Sequence, residues 1–162
     1  MPTPISFVFS EEERSLAMEE GMRRQGVNEA KGLRGRNGGA WKGHKALDIH
    51  LLGAAGEVAV ASYLGMKEYL FKETEARRGS NDLPGLDVKT RSRHQYDLIV
   101  QRQSDPNRKF VLVTIENQQT LIHGWCYGKD AMQNQFWNDP ARGRPAYFVP
   151  QDFLCPMESI NE

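Results

Sequence analysis

The chain has 162 residues, of which 39% are hydrophobic and 26% are charged, and Lys plus Arg equal Asp plus Glu at 21 each. This length and composition predict a single globular domain with a packed core, and they exclude a disordered or fibrous chain. The zero net charge excludes a protein that coats nucleic acid through overall positive charge, although a local basic patch is compatible with it. Cys126 and Cys155 are the only cysteines, so neither a disulfide scaffold nor a zinc knuckle is expected.

The sequence also predicts a soluble, cytoplasmic protein. No apolar run approaches the roughly 18 residues that span a bilayer. The start, Met-Pro-Thr-Pro-Ile-Ser, lacks the basic flank and apolar core of a signal peptide. Nucleotide-driven chemistry is not expected, because the chain contains neither a P-loop nor a GxGxxG motif.

The first third of the chain predicts two helices joined by a basic loop. Ser10 and Glu13 have the spacing of a capping box, which predicts a helix over 11–25 that ends at the following glycine. The region 31–45 is rich in glycines and cations and is expected to form a flexible loop, since glycine loses much backbone entropy in a helix. The region 46–64 is apolar on nearly all sides, which predicts a buried central helix.

The rest of the chain predicts a sheet. Short runs rich in Val, Ile, Leu and Thr are separated by turn-forming residues, and a short helix after Gly128 precedes the last run. The predicted strands are 86–90, 97–101, 109–115, 121–127 and 146–149. Consecutive strands so close in sequence are expected to pair as antiparallel hairpins. Helices followed by strands indicate an α+β fold in a single domain over 1–162, with the N-terminal helix and basic loop in 1–45 and the core in 46–157.

The segment around Asp87 contains the strongest candidate site. In a strand, Asp87 and Lys89 point to one face, whereas their apolar neighbours point to the other. A Pro-Gly turn signal just before the strand places Asp82 on its approach, with its carboxylate near Asp87. Converging carboxylates repel until a hard cation binds between them, and oxygen ligands without His or Cys favour Mg²⁺ or Mn²⁺ over zinc. The alternative is an exposed strand with an ordinary Asp–Lys pair.

Glu57 is the second unusual acid. It is the only carboxylate between Asp48 and Glu68, in the middle of the apolar helix. A buried lone carboxylate is unfavourable unless it meets a partner, a proton or a metal. Small residues one turn away allow the helix to approach the sheet closely, which would bring Glu57 towards the two aspartates. The alternative is a Glu on a narrow stripe that faces solvent.

These residues together resemble a known family. Glu57 within Gly-Ala-Ala-Gly-Glu-Val-Ala-Val, then Asp82, then Asp87-Val88-Lys89 are similar to the motifs of the PD-(D/E)XK nuclease superfamily, in particular its small phage-type members. The resemblance extends over 50–157 and includes the order of the following strands. It implies the restriction-endonuclease-like fold, in which a central mixed β-sheet is flanked by helices.

The resemblance also implies a function, a cofactor and roles for these residues. It implies a deoxyribonuclease that requires Mg²⁺ or Mn²⁺, with DNA as its partner and a homodimer that cuts both strands. Asp82, Asp87 and the backbone carbonyl of Val88 would bind the metal. Lys89 would orient or activate the attacking water, and Glu57 would complete the metal or water shell.

Basic residues outside this motif are candidates for contacts with the DNA backbone. Cations in the glycine-rich loop can follow phosphates, with Trp41 stacking on a base, and two arginines continue the strand face of the acid–lysine pair. The candidates are Arg34, Arg36, Lys42, Arg91 and Arg93. Gln101 in the next strand is a further candidate contact. The loop cations have an alternative as a solvated loop whose Trp packs on the core.

Two other functions remain open from the sequence. The first is a catalytically inactive DNA-binding or assembly protein that retains the nuclease fold. The second is a small host-interaction factor that binds another protein through its aromatic C-terminal region.

Overall fold

The computed structural model describes residues 2–30, 44–71 and 82–162. Two long helices, α1 (Glu11–Ala30) and α2 (His44–Leu64), precede most of the strands. The remaining elements are β1 (Ile5–Phe7), β2 (Leu86–Arg91), β3 (Leu98–Val100), β4 (Lys109–Glu116), β5 (Gln119–Tyr127), α3 (Gly128–Ala131), β6 (Trp137–Asn138) and β7 (Ala146–Val149). Within the described ranges, no helix has both the length and the apolar character needed to cross a bilayer.

The start of α1 and the end of α2 follow their sequence signals. At the start of α1 the Ser10 hydroxyl accepts a hydrogen bond from the Glu13 backbone N–H at 3.1 Å, and the Glu13 carboxylate accepts one from the Ser10 N–H at 2.9 Å. The predicted capping box is therefore confirmed. The predicted end of α1 is wrong, because the helix continues through Gly26 to Ala30. A helical glycine disfavours the helix by only about 1 kcal/mol. α2 ends where predicted, before Gly65 with φ +70°.

The strands form two sheets instead of one meander. The larger sheet has the order β1-β5-β4-β2, and the smaller has the order β3-β7-β6. The β4–β5 hairpin is antiparallel as predicted, but β2 pairs with β4 in parallel. The expectation of antiparallel hairpins throughout is therefore wrong at this edge. β3 lies between β2 and β4 in the chain but pairs with β7 in the smaller sheet. The segment through β3 is therefore the crossover connection that the parallel β2–β4 pair requires.

The architecture has three layers, and β4 separates two cores. Val111 and Val113 point towards α2 and share a core with its small apolar residues. Phe110 and Leu112 point the other way, into a core with β3 and β7. The α+β fold with a mixed sheet is confirmed. α2 packs on one face of that sheet with α1 against it, while the second sheet covers the other face, where the resemblance implies helices.

α2 makes a close approach to β2 on the helical side of the sheet. A Cβ atom on Gly56 would lie 1.8 Å from the Thr90 Oγ1 atom, so only glycine fits at this crossing. Leu86 and Val88, on the same strand face as Thr90, are buried in the core with α2. The alternation of the strand then directs Asp87 and its same-face neighbour away from the helices.

Candidate active site

A tight turn brings Asp82 alongside the edge of β2. Leu83 and Leu86 exchange both backbone hydrogen bonds, at 3.2 and 3.0 Å. Gly85 lies within the turn at φ +72°, a conformation that favours glycine. The chain doubles back, and the Asp82 Oδ2 atom accepts a hydrogen bond from the Val88 N–H at 2.8 Å. The Pro-Gly signal in the sequence thus positions the first acid beside the strand that carries the second.

A polar cleft of about 630 Å³ opens beside β2. Its lining comes from the Asp82 turn, from β2 and from the connection between β3 and β4. The lining residues are Asp82, Asp87, Lys89, Gln101, Gln103, Ser104, Asp105 and Arg108. The structure thus brings together Asp82, Asp87 and Lys89, two of the acids and the base of the predicted site. Gln101, the further candidate contact, lines the same cleft. The sequence reasoning missed the four residues from 103 to 108, which carry no motif and are recruited by the pairing of β2 with β4.

Asp87 is the most unusual group in the cleft. It is buried, its Oδ2 atom lies 3.3 Å from the Arg108 Nη1 atom, and its Oδ1 atom has no hydrogen-bond partner among the described residues. Burial, and next the charge of Asp82, raise the pKa of Asp87, whereas Arg108 and Lys89 oppose that rise. A carboxylate that is desolvated beside a second carboxylate is typical of a functional site.

Lys89 adds a cation to the same face of the strand. Its ammonium nitrogen lies 5.9 Å from the centroid of the Phe110 ring, so the side chain rests against the second core. It lines the cleft with Asp82 and Asp87. A positive group beside two carboxylates can hold a water molecule or a phosphate oxygen at this position.

The oxygen atoms around Asp87 fit a hard divalent cation. In an extended strand the N–H and C=O of one residue point to the same side, so the Val88 carbonyl faces the edge where Asp82 lies. Two carboxylates, one of which carries the unpartnered Asp87 Oδ1 atom, and a carbonyl are ligands suited to Mg²⁺, which keeps several waters. The described residues contain no group of three or more His, Cys, Asp or Glu side chains that could hold a metal ion. A cation here would therefore depend on two carboxylates, the carbonyl and water.

The structure does not bring Glu57 into this group. Glu57 is buried in the helical layer, where its Oε2 atom lies 2.8 Å from the Arg24 Nη2 atom. Arg24 also contacts Glu20 at 2.8 Å, so the pair belongs to a network between α1 and α2. Because α2 packs on the apolar face of β2, Glu57 and the side chain of Asp87 belong to different layers. The buried acid is thus satisfied by an arginine that the sequence reasoning did not single out.

The predicted DNA-binding residues do not line the cleft where the structure describes them. Arg91 stacks on the Tyr96 ring at 4.2 Å and donates a hydrogen bond to the Asp97 carbonyl at 3.0 Å. Arg93 lies 3.8 Å from Glu116. The loop candidates Arg34, Arg36, Trp41 and Lys42 lie outside the described residues.

The site is thus a cleft lined by three carboxylates, a lysine and an arginine beside an edge strand of a mixed sheet. Its composition suits the binding of a cation and of an anionic group at the same place. Comparison with family models, with curated proteins and with solved structures found no match to this chain.

Proposed function

We propose that the protein is a Mg²⁺- or Mn²⁺-dependent hydrolase that cleaves phosphodiester bonds in DNA. The observation that carries this proposal is the convergence of Asp82, Asp87 and Lys89 in one cleft, with the buried Asp87 Oδ1 atom free of hydrogen bonds from the described residues. These are three of the residues to which the resemblance to the PD-(D/E)XK nucleases assigns chemistry, whereas Glu57, to which it also assigns a role, pairs with Arg24 in the helical layer.

Each residue has a definite task in this proposal. Asp82 and Asp87, with the Val88 carbonyl, would hold the cation. When bound, the cation lowers the pKa of a coordinated water and offsets the charge of the phosphate. Lys89 donates hydrogen bonds that orient the attacking water or a phosphate oxygen on the same face as Asp87. The cleft walls and the Phe110 ring limit the positions that the ammonium group can take.

A second candidate function is a DNA-binding protein of similar shape that performs no chemistry. The contact between Arg108 and Asp87 favours it, because a guanidinium already offsets the charge that a cation would neutralise. Such a protein would bind DNA equally with and without a divalent cation.

The first test is cleavage of DNA in defined metal conditions. Purified protein is incubated with supercoiled, linear duplex, single-stranded and branched DNA in Mg²⁺, in Mn²⁺ or in EDTA, and the products are resolved on gels. We expect cleavage of at least one of these substrates with either cation and none in EDTA. Binding of DNA without cleavage in every metal condition would favour the second candidate and contradict the proposed hydrolase.

A variant of Glu57 tests whether this residue contributes to the stability of the fold or to DNA cleavage. The Glu57→Gln variant loses the charge partner of Arg24, although Glu20 still contacts that arginine. We expect the free energy of unfolding to fall by about 1–2 kcal/mol, as for the loss of one charged hydrogen bond. Cleavage measured well below the melting temperature should stay within about threefold of wild type, since Glu57 does not touch the reacting groups.

The matched control is Glu19→Gln, which removes an exposed carboxylate from α1. It should change neither the melting temperature nor the cleavage rate appreciably. A Glu57→Gln protein with wild-type stability and cleavage reduced more than a hundredfold would place Glu57 in the active site.

A further inference from the structure

We propose that Arg108 is a displaceable latch: it holds Asp87 while the cleft is empty, and it transfers to a phosphate of the DNA when a divalent cation binds. This inference rests on the proposed function and adds to it a coupling between cation binding and DNA binding. The coupling is assigned to one side chain that no sequence motif marks.

The geometry of the contact is that of a loose ion pair in a confined place. The side chains of Arg108 and Asp87 are only 12% and 10% exposed, yet their closest contact is 3.3 Å. The pair formed by Arg24 and Glu57 in the same molecule closes to 2.8 Å. Strong charge-assisted hydrogen bonds also fall at about 2.7–2.9 Å. Asp87 is therefore screened by Arg108 without being held tightly.

The backbone of Arg108 is fixed while its side chain faces the cleft. Its N–H donates to the Asp105 carbonyl at 3.2 Å, and its carbonyl accepts from the Gly128 N–H at 2.8 Å. The next residue, Lys109, begins β4 and donates to the Gly85 carbonyl beside the Asp82 turn. Rotation of the side chain about this anchored backbone moves the guanidinium within the cleft without moving β4.

Charge then decides which partner Arg108 takes. A divalent cation held by Asp82 and Asp87 would neutralise these carboxylates and repel the nearby guanidinium. A phosphate offers Arg108 a bidentate partner of opposite charge in the same cleft. DNA therefore draws Arg108 away from Asp87 and strengthens cation binding, and by thermodynamic linkage the cation strengthens DNA binding by the same factor.

The test measures cation affinity and DNA affinity in variants of Arg108. The Arg108→Met variant keeps most of the side-chain volume and loses the charge. By calorimetry without DNA, we expect it to bind Mn²⁺ about tenfold more tightly than wild type. By fluorescence anisotropy in Ca²⁺, we expect it to bind a labelled short duplex about tenfold more weakly. Cleavage should fall although Mn²⁺ affinity rises.

Two variants control for charge and for position. Arg108→Lys keeps a positive group and should bind Mn²⁺ within about threefold of wild type. Arg102→Ala removes an exposed arginine from the same connection and should leave both affinities unchanged. If Arg108→Met does not fold, Arg108→Gln gives the same comparison, since it also removes the charge.

The outcomes separate this inference from the function on which it rests. If wild type binds Mn²⁺ and cleaves DNA while the neutral Arg108 variants bind Mn²⁺ no more tightly, the latch is wrong and the hydrolase stands. If neither wild type nor the variants bind Mn²⁺ or cleave DNA, the hydrolase is wrong and the latch with it.

Discussion

Replacing Lys89 with alanine is expected to lower the rate of DNA cleavage by about 10²–10⁴-fold, the range typical of a lost proton-transfer or water-orienting group. The melting temperature should change by less than about 3 °C, because among the described residues the side chain makes only a contact with the Phe110 ring and an electrostatic attraction to Asp87. The measurement pairs initial cleavage rates in Mg²⁺ with thermal unfolding of the same preparations.

A second lysine in the same chain serves as the control for this variant. Lys129 also rests against an aromatic ring, with its ammonium nitrogen 5.1 Å from the Tyr127 centroid, but it does not line the cleft. Lys129→Ala should therefore retain full cleavage. Wild-type cleavage by Lys89→Ala would remove this lysine from the mechanism.

The Asp87→Asn variant should have opposite effects on activity and stability. Cleavage and cation binding should be lost, because a neutral amide is a much weaker ligand for a hard cation. In EDTA at neutral pH, however, the melting temperature should rise. Asp87 is desolvated and lies beside Asp82, so its charge disfavours the folded state, and asparagine removes that charge at nearly the same volume.

The sign of this effect with pH follows from the raised pKa. In the folded protein the pKa of Asp87 lies above its ordinary value of 3.8, owing first to burial and next to Asp82. The folded state therefore binds the proton more tightly than the unfolded state. As the pH rises from the ordinary pKa of 3.8 through the raised pKa of the folded protein, the free energy of unfolding of wild type falls. The stability advantage of Asp87→Asn should grow over the same interval and then stay constant.

Thermal unfolding between pH 4 and 8 in EDTA measures this advantage. Asp152→Asn, which neutralises an exposed aspartate, is the control and should show little change. If Asp87→Asn is less stable than wild type at every pH, the contact with Arg108 stabilises the fold more than desolvation of the carboxylate destabilises it.

The parts of the site that the sequence could predict are those set by local rules. The alternation of β2 fixes which side chains share a face, so Asp87 and Lys89 could be placed together from their spacing alone. The turn before the strand is also local, because a Pro-Gly pair favours a tight turn with a positive φ at the glycine. The position of Asp82 alongside β2 follows from that turn.

The parts that the sequence could not predict depend on distant partners. Glu57 clearly needed a partner, but Arg24 lies 33 positions away, and nothing in either segment identifies the pair. Arg108 reaches the cleft only because β4 pairs with β2 in parallel, after β3 has joined the other sheet. A strand of three residues carries too little alternation to specify its neighbour, so this crossover is decided by packing of the two cores.

The central claim, that Asp82 and Asp87 form a binding site for a divalent cation, is tested most directly by calorimetric titration of Mn²⁺ into metal-free protein. Wild type and Arg102→Ala should each bind the ion at a single site, and Asp87→Asn should show no binding over the same concentration range. Absence of binding to wild type, or equal binding to Asp87→Asn, would contradict the account.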